Sequence, residues 1–265
     1  MDKPLKGQLA YVTGAGRGLG RGAAVKLAQY GADVVLVARS GEELAVTAQA
    51  VEQHGQRALV LVVDVADPAA LLASIQRAEK ELGPISALVN NAAVLDVLPF
   101  EKTAPHLWER ALAVNLHAPY HAMYYLYPRM VARGGGSIHN VSSGAGWKGF
   151  AHETAYCASK FGLEGLTKAL ALEASAHGVL VTLSTPGVLA KPTSVTMREV
   201  EQLPPDTTGA WCDPLLLGEA FCYLAYARDQ RLAGRRFDLF AVSQTVRQEG
   251  TLDLKVEDVL IHSRS

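Results

Sequence analysis

A tyrosine and a lysine stand four positions apart in the stretch AYCASKFG, residues 155–162. In a helix, Tyr156 and Lys160 would lie one above the other on the same face. A phenol has a pKa of about 10, and a neighbouring ammonium group favours its phenolate, so such a pair can exchange a proton with a substrate near neutral pH. The same spacing also fits a half-buried aromatic residue beside an exposed lysine on a surface helix. The pair therefore predicts acid–base chemistry only if other residues support it.

A glycine-rich turn follows the first apolar segment of the chain. The segment LAYVTG, residues 9–14, runs directly into Gly14, Gly18 and Gly20, and a segment of helical period begins at once. Glycines allow a tight turn in which backbone N–H groups approach a pyrophosphate at the positive end of a helix. An ordinary glycine-rich turn is the alternative, but the strand before it and the helix after it favour a dinucleotide site.

The end of the second apolar segment indicates which dinucleotide is bound. The stretch VVLVARS places Ala38, Arg39 and Ser40 about twenty residues beyond the glycines, where an NAD site carries a carboxylate for the ribose hydroxyls. A second arginine, Arg17, lies inside the glycine turn. Two guanidinium groups and no carboxylate suit a 2′-phosphate, which arginine can bind in a bidentate way. The sequence therefore predicts NADP(H) as the cofactor.

Short apolar segments alternate with longer ones of helical period, a pattern typical of a parallel sheet wound by helices. The strands lack clean alternation, which suits burial on both faces. Ser40 with Glu43, and Asp67 with Pro68, are capping patterns at two helix starts. The predicted fold is α/β, a single-domain, doubly wound, Rossmann-like parallel sheet with helices on both faces. The predicted strands are 9–14, 33–38, 58–64, 87–90, 137–142 and 179–184, and the predicted helices are 19–30, 41–54, 68–82, 105–133, 154–177 and 213–228.

Two regions depart from this alternation. Residues 186–212 hold several prolines and threonines, and a loop of that length in a compact domain is usually a lid or a binding segment. The tail, 251–265, is polar and mixed, and it predicts either a docking arm between subunits or a loose end. We expect one dinucleotide-binding domain over 1–250, followed by this tail.

Composition excludes several classes of partner. A net charge of -1 creates no field that would attract nucleic acid or anionic lipid. Three cysteines are too few and too scattered for a disulfide framework or a metal cluster, so no metal site is expected and a reducing compartment is favoured. No run of 18 apolar residues occurs, and the N-terminus lacks a long apolar region. We therefore expect a cytoplasmic protein with no nucleic-acid or membrane partner.

Several motifs in order give the chain a resemblance to the short-chain dehydrogenase/reductase family over about residues 7–190. The glycine turn and the Tyr-x-x-x-Lys pattern at 156–160 are joined by Asn90-Asn91-Ala92-Ala93, which is similar to the family's Asn-Asn-Ala-Gly with alanine in the last position. The remaining matches are an acidic residue at the end of the third strand, a helix asparagine, a serine thirteen residues before the tyrosine, and a Pro-Gly turn: Asp64, Asn115, Ser143, Pro186 and Gly187.

This resemblance implies a set of roles. Tyr156 would be the acid in reduction and the base in oxidation, with Lys160 lowering its pKa and holding the nicotinamide ribose. Ser143 would orient the carbonyl oxygen, and Asn115 would fix a water that links Lys160 to solvent. The cofactor contacts that the resemblance implies are Gly14, Arg17, Gly18, Leu19, Gly20, Arg39, Ser40, Asp64, Val65, Asn91, Ala92, Tyr156, Lys160, Pro186, Gly187 and Leu189.

The chain departs from the family pattern in two places. The family's threonine shortly after Pro-Gly is missing here, so either Lys191 or Thr193 would replace it or the contact is lost. The backbone of Leu189 is a better candidate than either side chain. The segment GRRFDLFAVSQ replaces the family's Val-Asp-Gly-Gly near the C-terminus, which puts the substrate class in doubt. Trp147 and Phe150 predict either an aromatic wall at the substrate or packing beneath a loop.

The predicted function is an NADP(H)-dependent oxidoreductase acting on a ketone or secondary alcohol, as a carbonyl reductase or alcohol dehydrogenase. The alternative is a regulator or scaffold that binds NADP(H) without turnover, although such proteins usually lack part of the Tyr-Lys-Ser set. An epimerase or dehydratase would need a larger C-terminal substrate domain than the residues after Gly187 provide. The resemblance also implies a homodimer or homotetramer formed through the helices at 105–133 and 154–177.

Overall fold

A computed structural model of the chain describes residues 3–187, 189–190 and 211–264. Within these ranges the strands are β1 Leu9–Thr13, β2 Asp33–Ala38, β3 Ala58–Val62, β4 Ala87–Asn90, β5 Gly136–Val141, β6 Val179–Thr185, β7 Leu189–Ala190, β8 Trp211–Cys212, β9 Arg236–Asp238 and β10 Ser263–Arg264. The α-helices are α1 Gly18–Gln29, α2 Gly41–Glu52, α3 Pro68–Leu82, α4 Pro105–Leu112, α5 Ala118–Ala132, α6 Thr154–Ala174, α7 Gly218–Tyr226, α8 Leu239–Glu249 and α9 Val256–Leu260.

The main sheet has eight strands in the order β10-β9-β6-β5-β4-β1-β2-β3. All neighbours in it are parallel except β10, which pairs antiparallel with β9. β7 and β8 pair with each other in a separate two-stranded sheet. The predicted Rossmann-like fold is confirmed, since the crossovers between parallel neighbours are made by helices on the two faces of the sheet.

Helices cover both faces of the sheet, which explains the continuous apolar character of the strands. Successive residues of β1 point to opposite faces: Ala10 and Val12 pack in one core with α1, α2, α7 and α8, whereas Leu9 and Tyr11 pack in the other with α3, α5 and α6. All five residues of β1 are buried. A strand buried on both faces has no polar side to alternate with its apolar one.

Both predicted helix caps are present. The Ser40 hydroxyl accepts a hydrogen bond from the Glu43 backbone N–H at 3.3 Å, and the Asp67 carboxylate accepts from the N–H groups of Ala69 and Ala70. Pro68 occupies the first position of α3. Most predicted elements before residue 186 agree with the observed ones within two or three residues at each end.

The single helix predicted over 105–133 is wrong. It is divided into α4 and α5 by a π-helical turn over Ala113–His117. Pro119 has no N–H to donate to the carbonyl four residues earlier, that of Asn115, so the regular hydrogen-bond ladder cannot continue there. The turn therefore falls at the residue for which the sequence predicts a functional role.

The C-terminal part of the chain is more ordered than the sequence predicted. The helix expected over 213–228 is a 3₁₀ turn, Pro214–Leu217, followed by α7. β9, α8, α9 and β10 were not predicted. The tail is not a loose end, because α9 packs beside α8 and β10 extends the chain's own sheet. The alternative, a docking arm between subunits, stays a prediction. The division of the chain at residue 250 stays a prediction.

Aromatic and apolar side chains are exposed on α5 and α6, among them Tyr120, Tyr124, Phe161 and Leu172. Tyr120 and Tyr124 stack with their ring centroids 6.1 Å apart. The homodimer or homotetramer expected through these helices stays a prediction. Among the described residues, no helix combines the length and the apolar character needed to cross a membrane.

Candidate active site

The carboxyl ends of β1 and β4 adjoin at the point where the strand order changes direction. The Thr13 hydroxyl, at the end of β1, accepts hydrogen bonds from the backbone N–H groups of Asn91 at 3.0 Å and Ala92 at 3.1 Å. These two hydrogen bonds hold the ends of β1 and β4 side by side. A switch point of this kind is where open α/β sheets bind their ligands.

The glycine turn between β1 and α1 requires glycine at specific positions. Gly14 and Gly18 have positive φ angles of 65° and 53°. A Cβ atom on Gly20 would lie 2.2 Å from the carbonyl oxygen of Gly14, so no side chain fits there. The Asn91 amide donates to the carbonyl oxygens of Thr13, at 2.9 Å, and of Gly14, at 3.3 Å, and so holds the turn in place.

The N-terminus of α1 is free to receive an anion. Arg17 occupies the N-cap position, but no side chain among the described residues caps the helix, and its first turn contains no acidic residue. The first N–H groups of a helix carry partial positive charge and lack partners within the helix. A twelve-residue helix that begins directly after a glycine turn therefore presents these groups to a phosphate.

A cleft of about 460 Å³, here called the glycine-turn cleft, opens at this edge of the sheet. It collects the predicted cofactor residues from the ends of β1, β2, β3 and β4, and Gly20 lies in the turn behind it. The predicted residues that line it are Gly14, Arg17, Gly18, Leu19, Arg39, Ser40, Asp64, Val65, Asn91 and Ala92.

The glycine-turn cleft also contains a carboxylate that the sequence interpretation missed. Glu43, in the first turn of α2, lines the cleft beside Arg17 and Arg39. Its Oε1 atom lies 3.5 Å from the Arg17 Nη1 atom. The expectation of two guanidinium groups without a carboxylate is therefore wrong. Glu43 had been interpreted only as part of a capping pattern, although that pattern already places it three residues beyond Ser40.

Ser143 and Tyr156 meet in a second cleft, here called the Ser143–Tyr156 cleft. Ser143 directly follows β5, and Tyr156 lies in the first turn of α6. Pro186 and Gly187, at the end of β6, line the same cleft. Two segments that are thirteen residues apart in sequence are thus brought together by the return of the chain into α6.

Lys160 lies one turn beyond Tyr156 and is almost completely buried. Its Nζ atom donates a hydrogen bond to the Val141 carbonyl oxygen at 2.8 Å and lies 5.6 Å from the centroid of the Tyr156 ring. The predicted shared face of the helix is therefore present.

The Asn115 side chain, in the π-helical turn, is fully buried. It accepts from the Val94 N–H at 2.8 Å and donates to the Val94 carbonyl at 2.9 Å. It also donates to the Ser159 hydroxyl at 3.1 Å, and Ser159 donates to the Tyr156 carbonyl at 2.7 Å. Asn115 thus joins the end of β4 to the helix that carries the Tyr-Lys pair.

Burial dominates the electrostatics of the pair. It raises the pKa of the Tyr156 phenol, an effect that a hydrogen bond with the Ser143 side chain opposes. Burial also lowers the pKa of Lys160 to about 8, against the opposing charge of Glu164. Desolvation is thus the largest influence on the phenol in the chain without cofactor. The lowering of this pKa by the Lys160 ammonium together with the nicotinamide charge concerns the cofactor complex and stays a prediction.

The turn after β6 approaches β9 closely. Gly187 has a φ of 76°, and a Cβ atom there would lie 1.8 Å from the Asp238 Oδ1 atom. Leu189 is described only as backbone in β7. Residues 188 and 191–210 lie outside the described residues, and with them Lys191, Thr193 and most of the loop predicted over 186–212.

Aromatic side chains form one wall of the Ser143–Tyr156 cleft. Trp147 and Phe150 are 39% and 40% exposed and line it, which favours the first of the two predicted alternatives. The Arg236 guanidinium stacks on the Trp147 ring at 3.8 Å and pairs with the buried Glu164 carboxylate at 3.0 Å. Glu164 follows Lys160 by four residues in α6, a spacing that places both side chains on one helix face.

The C-terminal residues complete the opposite rim of this cleft. Ile261, His262, Ser263 and Arg264 line it as the chain enters and forms β10. The sequence interpretation missed them because no local pattern marks a tail that pairs with the sheet. Their position follows from the antiparallel pairing of β10 with β9.

Comparisons with known proteins agree with this arrangement. The family model described as short chain dehydrogenase matches residues 8–203. The chain is 38% identical over 191 residues to a (-)-trans-carveol dehydrogenase from Rhodococcus erythropolis, covering 67% of this chain and 69% of that protein. It is 31% identical over 225 residues to a cyclohexanol dehydrogenase from Acinetobacter sp. (strain SE19), covering 84% and 90%.

Two solved structures have the same fold. A carveol dehydrogenase from Mycobacterium avium in complex with NAD gives a TM-score of 0.77 at 27% identity, covering 88% of this chain and 95% of that one. A metagenomic short-chain oxidoreductase in complex with NADP gives 0.74 at 34% identity, covering 86% and 94%. The fold and the glycine turn thus define an α/β oxidoreductase of the kind that uses nicotinamide cofactors. The chain belongs to the short-chain dehydrogenase/reductase family.

Proposed function

We propose that this protein is an NADP(H)-dependent oxidoreductase that transfers a hydride between the nicotinamide and a ketone or secondary alcohol. The observation that carries the proposal is the meeting of Ser143 and Tyr156 in one cleft, with Lys160 buried one helical turn away. A hydroxyl and a phenol that face the same space can both hydrogen-bond one carbonyl oxygen.

The glycine turn fits a dinucleotide. The close approach of Gly20 to Gly14 and the uncapped N-terminus of α1 form a cradle that a side chain would fill and an anion can occupy. Arg17 and Arg39 line the same cleft and support a preference for the 2′-phosphate of NADP(H). Asp64, at the end of β3, would lie at the adenine.

The Ser143 hydroxyl would hold the carbonyl oxygen while Tyr156 donates its proton to that oxygen during reduction. The raised pKa of Tyr156 keeps the phenol protonated, as a proton donor must be. When bound, the nicotinamide supplies or accepts the hydride, and its positive charge in the oxidised state favours the phenolate that oxidation of an alcohol needs.

Lys160 would hold the nicotinamide ribose and return protons to Tyr156. Its lowered pKa, about 8, places its titration close to neutrality, so it can gain or lose a proton during turnover. The hydrogen bonds of Asn115 hold α6 against the end of β4 and so fix where Lys160 lies. The proposed role of Asn115 in placing a water beside Lys160 is additional to this contact.

The lining of the Ser143–Tyr156 cleft supports an apolar cyclic alcohol or ketone as the substrate class. Trp147, Phe150, Leu95 and Ile261 present apolar surface to it. The relatives named for carveol and cyclohexanol dehydrogenation act on alcohols of this kind.

Replacing Tyr156 by phenylalanine tests the mechanism. In Y156F, kcat for ketone reduction should fall by about 10² to 10⁴-fold, because general-acid catalysis is lost, while NADP+ still binds. The assay is NADPH consumption with cyclohexanone and with a ketose, together with calorimetric titration of NADP+. Tyr124→Phe, at an exposed tyrosine outside both clefts, is the matched control. Wild-type turnover in Y156F contradicts the proposed mechanism, and a preference for the ketose contradicts the substrate class.

A further inference from the structure

The backbone of Glu43 is fixed beside the glycine turn. The Ser40 hydroxyl accepts from its backbone N–H, which fixes it in the first turn of α2. Four residues later, the Thr47 hydroxyl is within hydrogen-bond distance of the carbonyl oxygens of Ala15, at 3.0 Å, and Gly16, at 3.3 Å. These contacts anchor α2 to the loop that forms the cleft.

The contact between Glu43 and the turn is close enough to restrict the residue opposite. A Cβ atom on Gly16 would lie 2.9 Å from the Glu43 Cβ atom and 3.1 Å from its Oε2 atom. The half-exposed carboxylate therefore lies over the turn. Glu42, its neighbour in the same first turn, is exposed and does not line the cleft.

The Glu43 carboxylate lies beside Arg17, where a bound 2′-phosphate would otherwise pair with the guanidinium group. The two side chains are 39% and 61% exposed and 3.5 Å apart, so their ion pair stabilises the fold little and a ligand can displace it. A 2′-phosphate that approaches Arg17 must separate this pair and then lie close to a like charge. A ribose hydroxyl meets no such penalty, because it can donate a hydrogen bond to the carboxylate.

We propose that Glu43 determines cofactor specificity by competing with the 2′-phosphate for Arg17, and so makes the chain accept NAD(H) as well as NADP(H). This inference rests on the proposed function. The two arginines at the cleft provide the attraction for the phosphate, and Glu43 reduces it by neutralising one of them. The ratio of the affinity for NADP(H) to that for NAD(H) is therefore smaller than Arg17 and Arg39 alone would produce.

Binding of nucleotides to E43Q tests the inference without turnover. The probes are NADP+, NAD+, 2′,5′-ADP and 5′-AMP, titrated calorimetrically into wild type, E43Q and the matched control E42Q. We expect E43Q to bind NADP+ and 2′,5′-ADP about two- to five-fold more tightly than wild type, because the phosphate no longer has to separate an exposed ion pair to reach Arg17. The Kd values for NAD+ and 5′-AMP should stay equal or rise, and E42Q should behave as wild type.

A double-mutant cycle identifies the partner. In an R17M background the E43Q substitution should produce a smaller gain for 2′,5′-ADP than in wild type, because the competition for Arg17 is gone and only the repulsion between the Glu43 carboxylate and the phosphate remains. Equal NADP+ affinity of E43Q and wild type overturns the inference, as does an equal gain in E42Q or a gain that is as large in R17M as in the wild-type background. Failure of the wild type to bind either dinucleotide overturns the proposed function itself, and the inference with it.

Discussion

Burial of Lys160 makes the free energy of unfolding depend on pH between the pKa of this lysine in the folded chain and its pKa in the unfolded chain. Its pKa is lowered from 10.5 to about 8 in the folded chain, and it is almost completely buried. Between these two pKa values the unfolded chain binds a proton that the folded chain does not. The free energy of unfolding must therefore rise as the pH increases from about 8 to 10.5.

The size of this effect follows from the same shift. The difference between 10.5 and about 8 corresponds to about 3 kcal/mol in total, at about 1.4 kcal/mol for each pH unit. Between about pH 7.5 and pH 10, roughly 2.4 kcal/mol of it should be gained. Lys160→Met removes the titrating group, so the variant should lack this gain.

Urea denaturation of the cofactor-free chain at a series of pH values measures the effect. The quantity to compare is the rise in the free energy of unfolding of wild type minus that of K160M over the same interval, in which other titrations cancel. Lys168→Met removes a lysine from the same helix, at a half-buried site, and should keep the wild-type rise. If the free energies of unfolding of wild type and K160M rise in parallel with pH, burial of Lys160 does not cause the rise and the argument is refuted.

Two further substitutions test buried polar groups. Burial lowers the pKa of His139 to about 3, so below about pH 6.5 the unfolded chain takes up a proton and stability falls; between pH 6.5 and 4.5 wild type should lose about 2 kcal/mol more than H139Q in urea denaturation. Equal losses would contradict this. Arg236→Met leaves the Glu164 carboxylate buried without its partner and should lower the free energy of unfolding by about 3 to 5 kcal/mol, whereas the double variant with Glu164→Leu should recover most of it. No recovery would show that the loss comes from packing on Trp147.

The core of the candidate site could be predicted because its signals are local. The spacing of Tyr156 and Lys160 already defines one helix face, and the glycines define a turn whatever packs around it. Alternation of strands and helices indicated the parallel sheet, and a parallel sheet places the carboxyl ends of its strands at one edge. Ser143 was identified through the family resemblance, in which a serine stands thirteen residues before the tyrosine.

Other residues of the site depend on contacts between distant segments. Glu43 and Arg17 are 26 residues apart, and Arg236 and Glu164 are 72 apart, so no local pattern joins them. The two short C-terminal strands were missed for the same reason, since three or two residues carry too little periodicity to identify a strand. Their formation depends on an existing sheet edge with which to pair.

The direction of the Tyr156 pKa shift separates what the sequence determined from what only the tertiary structure decided. By itself the sequence determined that a phenol and an ammonium group share a helix face after a glycine-rich dinucleotide turn. Only the folded chain decides how much water surrounds them, and there desolvation raises the pKa of the phenol and lowers that of the lysine. Chemical identity and spacing are encoded residue by residue, but burial and distant charges are properties of how all the segments pack together.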